Sequence, residues 1–357
     1  MTDLYVLYRG PLASCNYDCP YCPFAKRVDP PDLLRADRAD LARFADWVTE
    51  TTDRRLSILF TPWGEGLTRS WYRDTIVRLS HLPHVDRVAI QTNLAARTGW
   101  LADANPRVAA LWTTYHPGQV TRERFLARCR ELDALGIRYS VGVVGLPEHH
   151  TEAVALREAL SPGVYLWINA ADGHVYSSEE ETRWTAIDPL FGDSVRPHPS
   201  LGRPCHAGET AISVLGDGTV RRCHFIKTPI GNLYDGSWRA GLRPRPCVNN
   251  LCDCHIGYVH LKPLQLRDVY ADGLLERIPV LRRRETPVQI TQNHRVEEHQ
   301  EHEHHGLDHV RIHEPGHLGS HQRADQHRQA GPEQMTRIDL IPQQDRNETT
   351  PEKIDQN

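Results

Sequence analysis

The sequence predicts an α/β fold: a partial (β/α)6 barrel with a small Cys-rich α+β cap domain and a disordered C-terminal tail. Three observations predict it. From about Leu4 to Gly173 short apolar runs alternate with helix-period stretches, the pattern of a parallel sheet with crossover helices. From about Ser194 the texture changes to short strands, glycine turns and five closely spaced cysteines. Beyond Tyr270 there is no Phe, Trp or Tyr, and ten of the 21 histidines fall between His294 and His327. Such a segment cannot bury enough apolar surface to offset chain entropy. The expected domains are 1–193, 194–284 and 285–357.

The elements follow in order. Predicted strands are Leu4–Tyr8, Leu56–Thr61, Arg87–Thr92, Ala109–Thr114, Tyr139–Val144 and Val164–Asn169. Predicted helices are Arg38–Thr51, Ser70–His81, Thr98–Ala104, Arg122–Leu135 and Glu152–Leu160. In the fourth, Phe125, Leu126, Cys129, Leu132 and Leu135 form one apolar stripe, and Gly136 reads as a stop. Six β/α units in order suit an open barrel with its site at the C-terminal strand ends. Later, Glu209–Leu215 and Thr219–Cys223 flank Gly216-Asp217-Gly218 as a β-hairpin, and Pro263–Arg277 reads as a last helix.

Composition narrows the function. With 357 residues and a formal net charge of −4, no basic field marks a nucleic-acid partner. No apolar run approaches the ~18 residues of a membrane span, and MTDLYVLYRG lacks the pattern of a signal peptide. A cytoplasmic location is therefore expected. In that reducing setting nine cysteines point to metal or catalysis rather than to disulfides.

The run Cys15-Asn-Tyr-Asp-Cys19-Pro-Tyr-Cys22 follows directly on the first strand. Three thiolates at these spacings can meet three corners of a cubane cluster. The next residues, Pro23 and Phe24 among them, supply no fourth, which leaves one iron open. A structural zinc site closes its shell with four protein ligands. This CxxxCxxC loop, with Tyr21 before its last cysteine, resembles the signature of the radical S-adenosylmethionine (SAM) superfamily.

The resemblance implies that Cys15, Cys19 and Cys22 are the catalytic ligands of a 4Fe–4S cluster. SAM would chelate the open iron and be cleaved reductively to a 5′-deoxyadenosyl radical that abstracts hydrogen from substrate. Further cofactor-binding residues are implied at the strand ends. Gly64 and Glu65 in Thr61-Pro-Trp-Gly-Glu-Gly66 resemble the family's Gly-Gly-Glu-Pro, which meets the SAM amino group. Thr92 and Asn93 resemble its Thr-Asn-Gly. Thr114 and His116 stand where small polar residues meet the ribose and carboxylate, although His116 also reads as a satisfied strand-end histidine. Val143 and Gly145 resemble its adenine-contacting segment, and Trp167 and Asn169 would close the site.

Cys205, then Gly218 and Cys223, resemble the opening of SPASM and twitch domains, as do Gly231-Asn232 and Trp238. The resemblance implies one auxiliary 4Fe–4S cluster on Cys205, Cys223 and two of Cys247, Cys252 and Cys254. Four thiolates would also satisfy zinc. Cys129, on an apolar helix face, reads as core.

The expected function is thus an oxidoreductase-type radical SAM enzyme acting on a small molecule or a peptide. An electron donor such as flavodoxin or ferredoxin is implied. A peptide-modifying maturase would be expected to need a separate recognition partner, since the first cysteine comes within 15 residues. The non-enzyme alternative is a zinc or iron–sulfur binding protein with a metal-sequestering His tail.

Overall fold

In the computed structural model, which describes residues 3–24 and 28–280, the six apolar runs become parallel strands in chain order. They are β1 (Leu4–Arg9), β2 (Leu56–Phe60), β3 (Val85–Thr92), β4 (Ala109–Thr114), β5 (Arg138–Val144) and β6 (Leu166–Asn169). Register is carried by facing pairs such as Val6–Ile58, Ile58–Val88, Ile90–Leu111 and Val143–Ile168. Helices α1 (Pro31–Glu50), α2 (Ser70–Ser80), α3 (Arg122–Leu135) and α4 (His150–Ala159) make crossovers. Thr121 caps α3 through Arg124 N, and Gly136 ends it at φ 66°, where a residue with a Cβ would be strained.

Strand alternation sorts the side chains into two layers. Val6, Ile58, Val88, Leu111, Val141 and Ile168 pack against Leu41, Phe44, Ile76, Leu132 and Leu156 of the helices. The opposite set, Leu7, Leu59, Ala89, Ala110, Trp112, Tyr165 and Trp167, forms a smaller inner layer. Residues on this inner face at the C-terminal strand ends are less covered: Arg9, Gln91, Thr114, Val144 and Asn169 are all only half-buried.

The Cys-rich segment extends this sheet. β7 (Ala211–Leu215) pairs in parallel with β1, β8 (Thr219–Arg221) returns antiparallel, and β9 (Pro229–Asn232) forms the outer edge. The sheet order is β9-β8-β7-β1-β2-β3-β4-β5-β6. Ile212, Val214 and Val220 of the hairpin enter the main core, which gives these short strands the apolar cover that an isolated hairpin would lack. The described residues fall within one compact unit, 1–288. The expected disordered tail, 285–357, lies outside the described residues.

Several elements depart from expectation. Helix α1 begins at Pro31 rather than Arg38, since proline fits the first turn, where its missing N–H bonds nothing. The stretch expected as a helix at Thr98–Ala104 is a five-residue 3₁₀ turn, Gly99–Asp103. The sequence reading lacked α5 (Ser178–Thr185), although Ser177 and Glu180 close a reciprocal capping box there. The expected helix Pro263–Arg277 is broken into Lys262–Leu264, Leu266–Tyr270 and Ala271–Gly273. Positive φ at Gln265, Ala271 and Arg277 bends the chain so that Leu275 and Arg277 are buried, Leu275 in the inner layer. Among the described residues no helix is long and apolar enough to cross a membrane.

Candidate functional site

Leaving β1 at Arg9, the chain crosses the C-terminal end of β2. Trp63 N and Gly64 N donate to Leu12 O at 3.1 and 3.4 Å, and Glu65 N donates to Ser14 O at 3.1 Å. A Cβ on Gly64 would lie 1.9 Å from Ser14 O, so only glycine permits this crossing. Two buried carboxylates hold the same stretch from the other side. Asp29 Oδ2 accepts from Ala13 N and Ser14 N, both at 2.7 Å. Asp37 Oδ1 accepts from Leu12 N at 3.1 Å and Tyr72 OH at 3.3 Å, while Oδ2 takes Trp71 Nε1 at 2.8 Å. The backbone entering Cys15 is therefore fixed before any metal is considered.

The thiols meet the loops that follow the next two strands. Asn93 Nδ2, after β3, lies 3.7 Å from Cys15 Sγ and 3.0 Å from Asn16 Oδ1. His116 Nδ1, after β4, lies 3.5 Å from Cys19 Sγ and 3.0 Å from Tyr21 OH. The Tyr21 ring stacks on His116 and meets His149 edge-on. Gln119 Oε1 accepts from Asp18 N at 3.0 Å, and Cys22 Sγ donates to Phe24 O at 3.5 Å. Burial pushes the Cys15 thiol up, with Glu65 and Cys22 adding repulsion. Burial, helped by His149, holds His116 down at about 4, so its ring is neutral at pH 7.

The remaining expected cofactor residues are distributed unevenly. Glu65 is buried, and its carboxylate accepts from Leu67 N (3.0 Å), Thr92 Oγ1 (2.8 Å) and Asn93 N (2.6 Å). It thus ties the β2 end to the β3 end. Thr114 is half-buried at the tip of β4. Val143 is wholly buried in the layer beneath the helices, so only its backbone is available on the inner face. Gly145 N donates to Asn169 O at 2.8 Å, and its carbonyl accepts from Tyr176 OH at 2.8 Å. Trp167 lies in the inner layer against Trp112.

The second set of thiols forms around short pairings that the sequence did not reveal. Pro204–Cys205 pairs with Arg245–Pro246, His198–Pro199 with Leu251–Cys252, and Leu201 bridges to Cys247. Buried Arg222 clamps these loops by donating to Ala207 O (3.2 Å), Pro246 O (2.6 Å) and Arg245 O (2.9 Å). Burial pushes Cys223 up to about 11, with repulsion from Cys205 and Cys247. Cys252 is pushed up by burial and by Cys223, Cys247, Cys205 and, least, Cys254. Four thiols therefore share one neighbourhood. Cys254 differs, since after burial its charged surroundings are Arg9, Asp253 and Arg277. Among the described residues no three His, Cys, Asp or Glu side chains are gathered to hold a single metal ion as they stand.

Sequence reasoning missed Asp29, Asp37, Gln119 and Arg222. Asp37 alone carried a signal, as an acidic residue on the buried face of a helix. The others act through contacts between distant segments.

No family model matches this chain, and no curated protein matches it. Similar solved structures include native anSMEcpe with bound AdoMet, at 14% identity and a TM-score of 0.48, covering 67% of this chain and 80% of that one. The same protein with bound AdoMet and Cp18Cys peptide aligns at 12% identity and a TM-score of 0.46, over 67% and 79%. BtrN in complex with AdoMet and 2-DOIA aligns at 17% identity and a TM-score of 0.30, over 68% and 83%.

Proposed function

We propose that this chain is a radical SAM enzyme with one auxiliary iron–sulfur site. The observation that carries this reading is the Cys15–Cys22 loop: three thiols and no fourth, laid across the C-terminal strand ends and braced by Asp29, Asp37 and Gly64. These residues fit a 4Fe–4S cluster with one open iron. When bound, that cluster and SAM supply one-electron cleavage of a C–S bond and a carbon radical able to abstract hydrogen.

The chain's own part is placement. Asn93 and His116 orient Cys15 and Cys19, and neutral His116 adds no positive charge beside the thiolate. Glu65 keeps the β2 and β3 ends together, leaving the backbone of 63–65 to line the cofactor space. Trp63, packed on Phe24, covers the Cys22 side.

Cys205, Cys223, Cys247 and Cys252 are the proposed auxiliary ligands. Four thiolates would also satisfy zinc, which the metal analysis below distinguishes. Hydrogen abstraction followed by electron transfer to the auxiliary site would make the reaction an oxidation, with flavodoxin or ferredoxin as electron donor to the first cluster.

Iron, sulfide and zinc analysis of anaerobically purified protein tests the assignment. About eight irons per chain are expected. One or two zincs with no iron would overturn it.

A further inference from the structure

On the inner face of the sheet stands a cation with no carboxylate partner among the described residues. Arg9 is the last residue of β1 and follows Leu7 on the inner face. Its Nε donates to Thr61 O at 2.8 Å and its guanidinium stacks on Trp63, 4.0 Å from the ring centre. No carboxylate among the described residues pairs with it. Burial, offset only in part by Cys254, pulls its pKa down to about 10, still charged at neutral pH. A desolvated, unpaired guanidinium is costly unless an acceptor arrives.

Two further groups face the same space. His224, next to Cys223, places Nε2 3.2 Å from Thr61 Oγ1. That hydroxyl donates to Tyr8 O at 3.4 Å, so it accepts from Nε2–H and leaves Nδ1 as an acceptor. Burial and the neighbouring Arg9 and Arg221 keep this imidazole neutral. Cys254 opens the short helix His255–Tyr258, whose Ile256 packs with Leu7 and Leu59, one step below Arg9 and Thr61. Its thiol feels the Arg9 charge, and Cys254 is exposed.

We infer that Arg9, His224 and Cys254 form the substrate subsite of this barrel, and that it takes a small molecule with an anionic group, carboxylate or phosphate, on Arg9. The anionic group would accept from Arg9, a hydroxyl or amine of the same molecule would donate to His224 Nδ1, and Cys254 would border the adjoining part of the substrate. This deepens the radical SAM reading and rests on it for the word substrate; the anion site itself does not require SAM cleavage.

Alkylation of Cys254 in the anaerobic, cluster-loaded protein tests the site, with each cysteine followed separately by mass spectrometry. Cluster ligands are protected by iron and Cys129 by burial. Relative to free cysteine, iodoacetate should be favoured over iodoacetamide by about tenfold, because Arg9 attracts the anionic reagent. Arg9→Gln should remove the preference and Arg9→Lys should keep it. In the unaltered protein, acetate or inorganic phosphate at about 10 mM should slow iodoacetamide, and whichever protects better names the anion. An unchanged reagent ratio in Arg9→Gln, protection by neither anion, or a Cys254 inert to both reagents would overturn the subsite. None of these outcomes depends on whether the protein cleaves SAM.

Discussion

Cys252 and Cys254 are two residues apart and chemically identical, yet the fold gives them different neighbours. The charges that act on Cys252 are chiefly those of Cys223, Cys247 and Cys205 and least that of Cys254, whereas Cys254 feels Arg9, Asp253 and Arg277. Cys252→Ala should therefore remove about four irons from the loaded protein, while Cys254→Ala should leave the iron content unchanged. Iron and sulfide assays on the two variants, side by side, check this; equal loss in both would show that the thiols are interchangeable. From sequence, alternation along an extended loop implied that both might not serve, but it could not say which. The proposed choice rests on the pairing of Leu251–Cys252 with His198–Pro199, a contact across more than 50 residues that no local pattern carries. For Cys15, Cys19 and Cys22 the sequence carries the spacing itself, because it lies within one loop.

At the scale of elements, the loop between β1 and α1 is held from two sides, by Gly64 beneath and Asp29 beside it. Gly64→Ala would drive a methyl group into Ser14 O, and the Cys15 loop would have to move. We expect iron at the first site to fall at least severalfold, with the auxiliary iron retained. Asp29→Asn exchanges a charge-assisted acceptor of two backbone N–H groups for a neutral one, at a cost of about 1–3 kcal/mol. Thermal unfolding and iron content report the two effects, and wild-type values for both would remove the bracing role of Asp29. The six strands and α3 were legible because their apolar periods and the Gly136 stop are local. Helix α5 was legible in principle, through Ser177 and Glu180, but its weak apolar stripe hid it. The break in the final helix was not legible, because Arg277 is buried against Trp112 and Trp167, which lie more than 100 residues away in the chain.

For the whole molecule, the Cys-rich segment and the six parallel strands share one sheet, so they should unfold together rather than as two domains. Acid should promote that unfolding. His255 and His260 are buried, and burial, with Arg277 and Arg267 nearby, holds both far below the ordinary imidazole value. The unfolded chain takes up protons below about pH 6.5 that the folded chain refuses, so stability falls as pH drops through that value. Each group contributes up to about 1.4 kcal/mol per pH unit. The melting temperature of the anaerobic protein should fall between pH 7.5 and 5.5, and less steeply in His260→Gln; identical slopes would remove His260 from the account.

The central claim is that Cys15, Cys19 and Cys22 alone support cleavage of SAM. The direct measurement is formation of 5′-deoxyadenosine from SAM by reconstituted, dithionite-reduced protein, compared across Cys19→Ala and Cys223→Ala. The account predicts slow formation by the unaltered protein, none by Cys19→Ala, and retention within a factor of a few by Cys223→Ala. Undiminished 5′-deoxyadenosine from Cys19→Ala would contradict it.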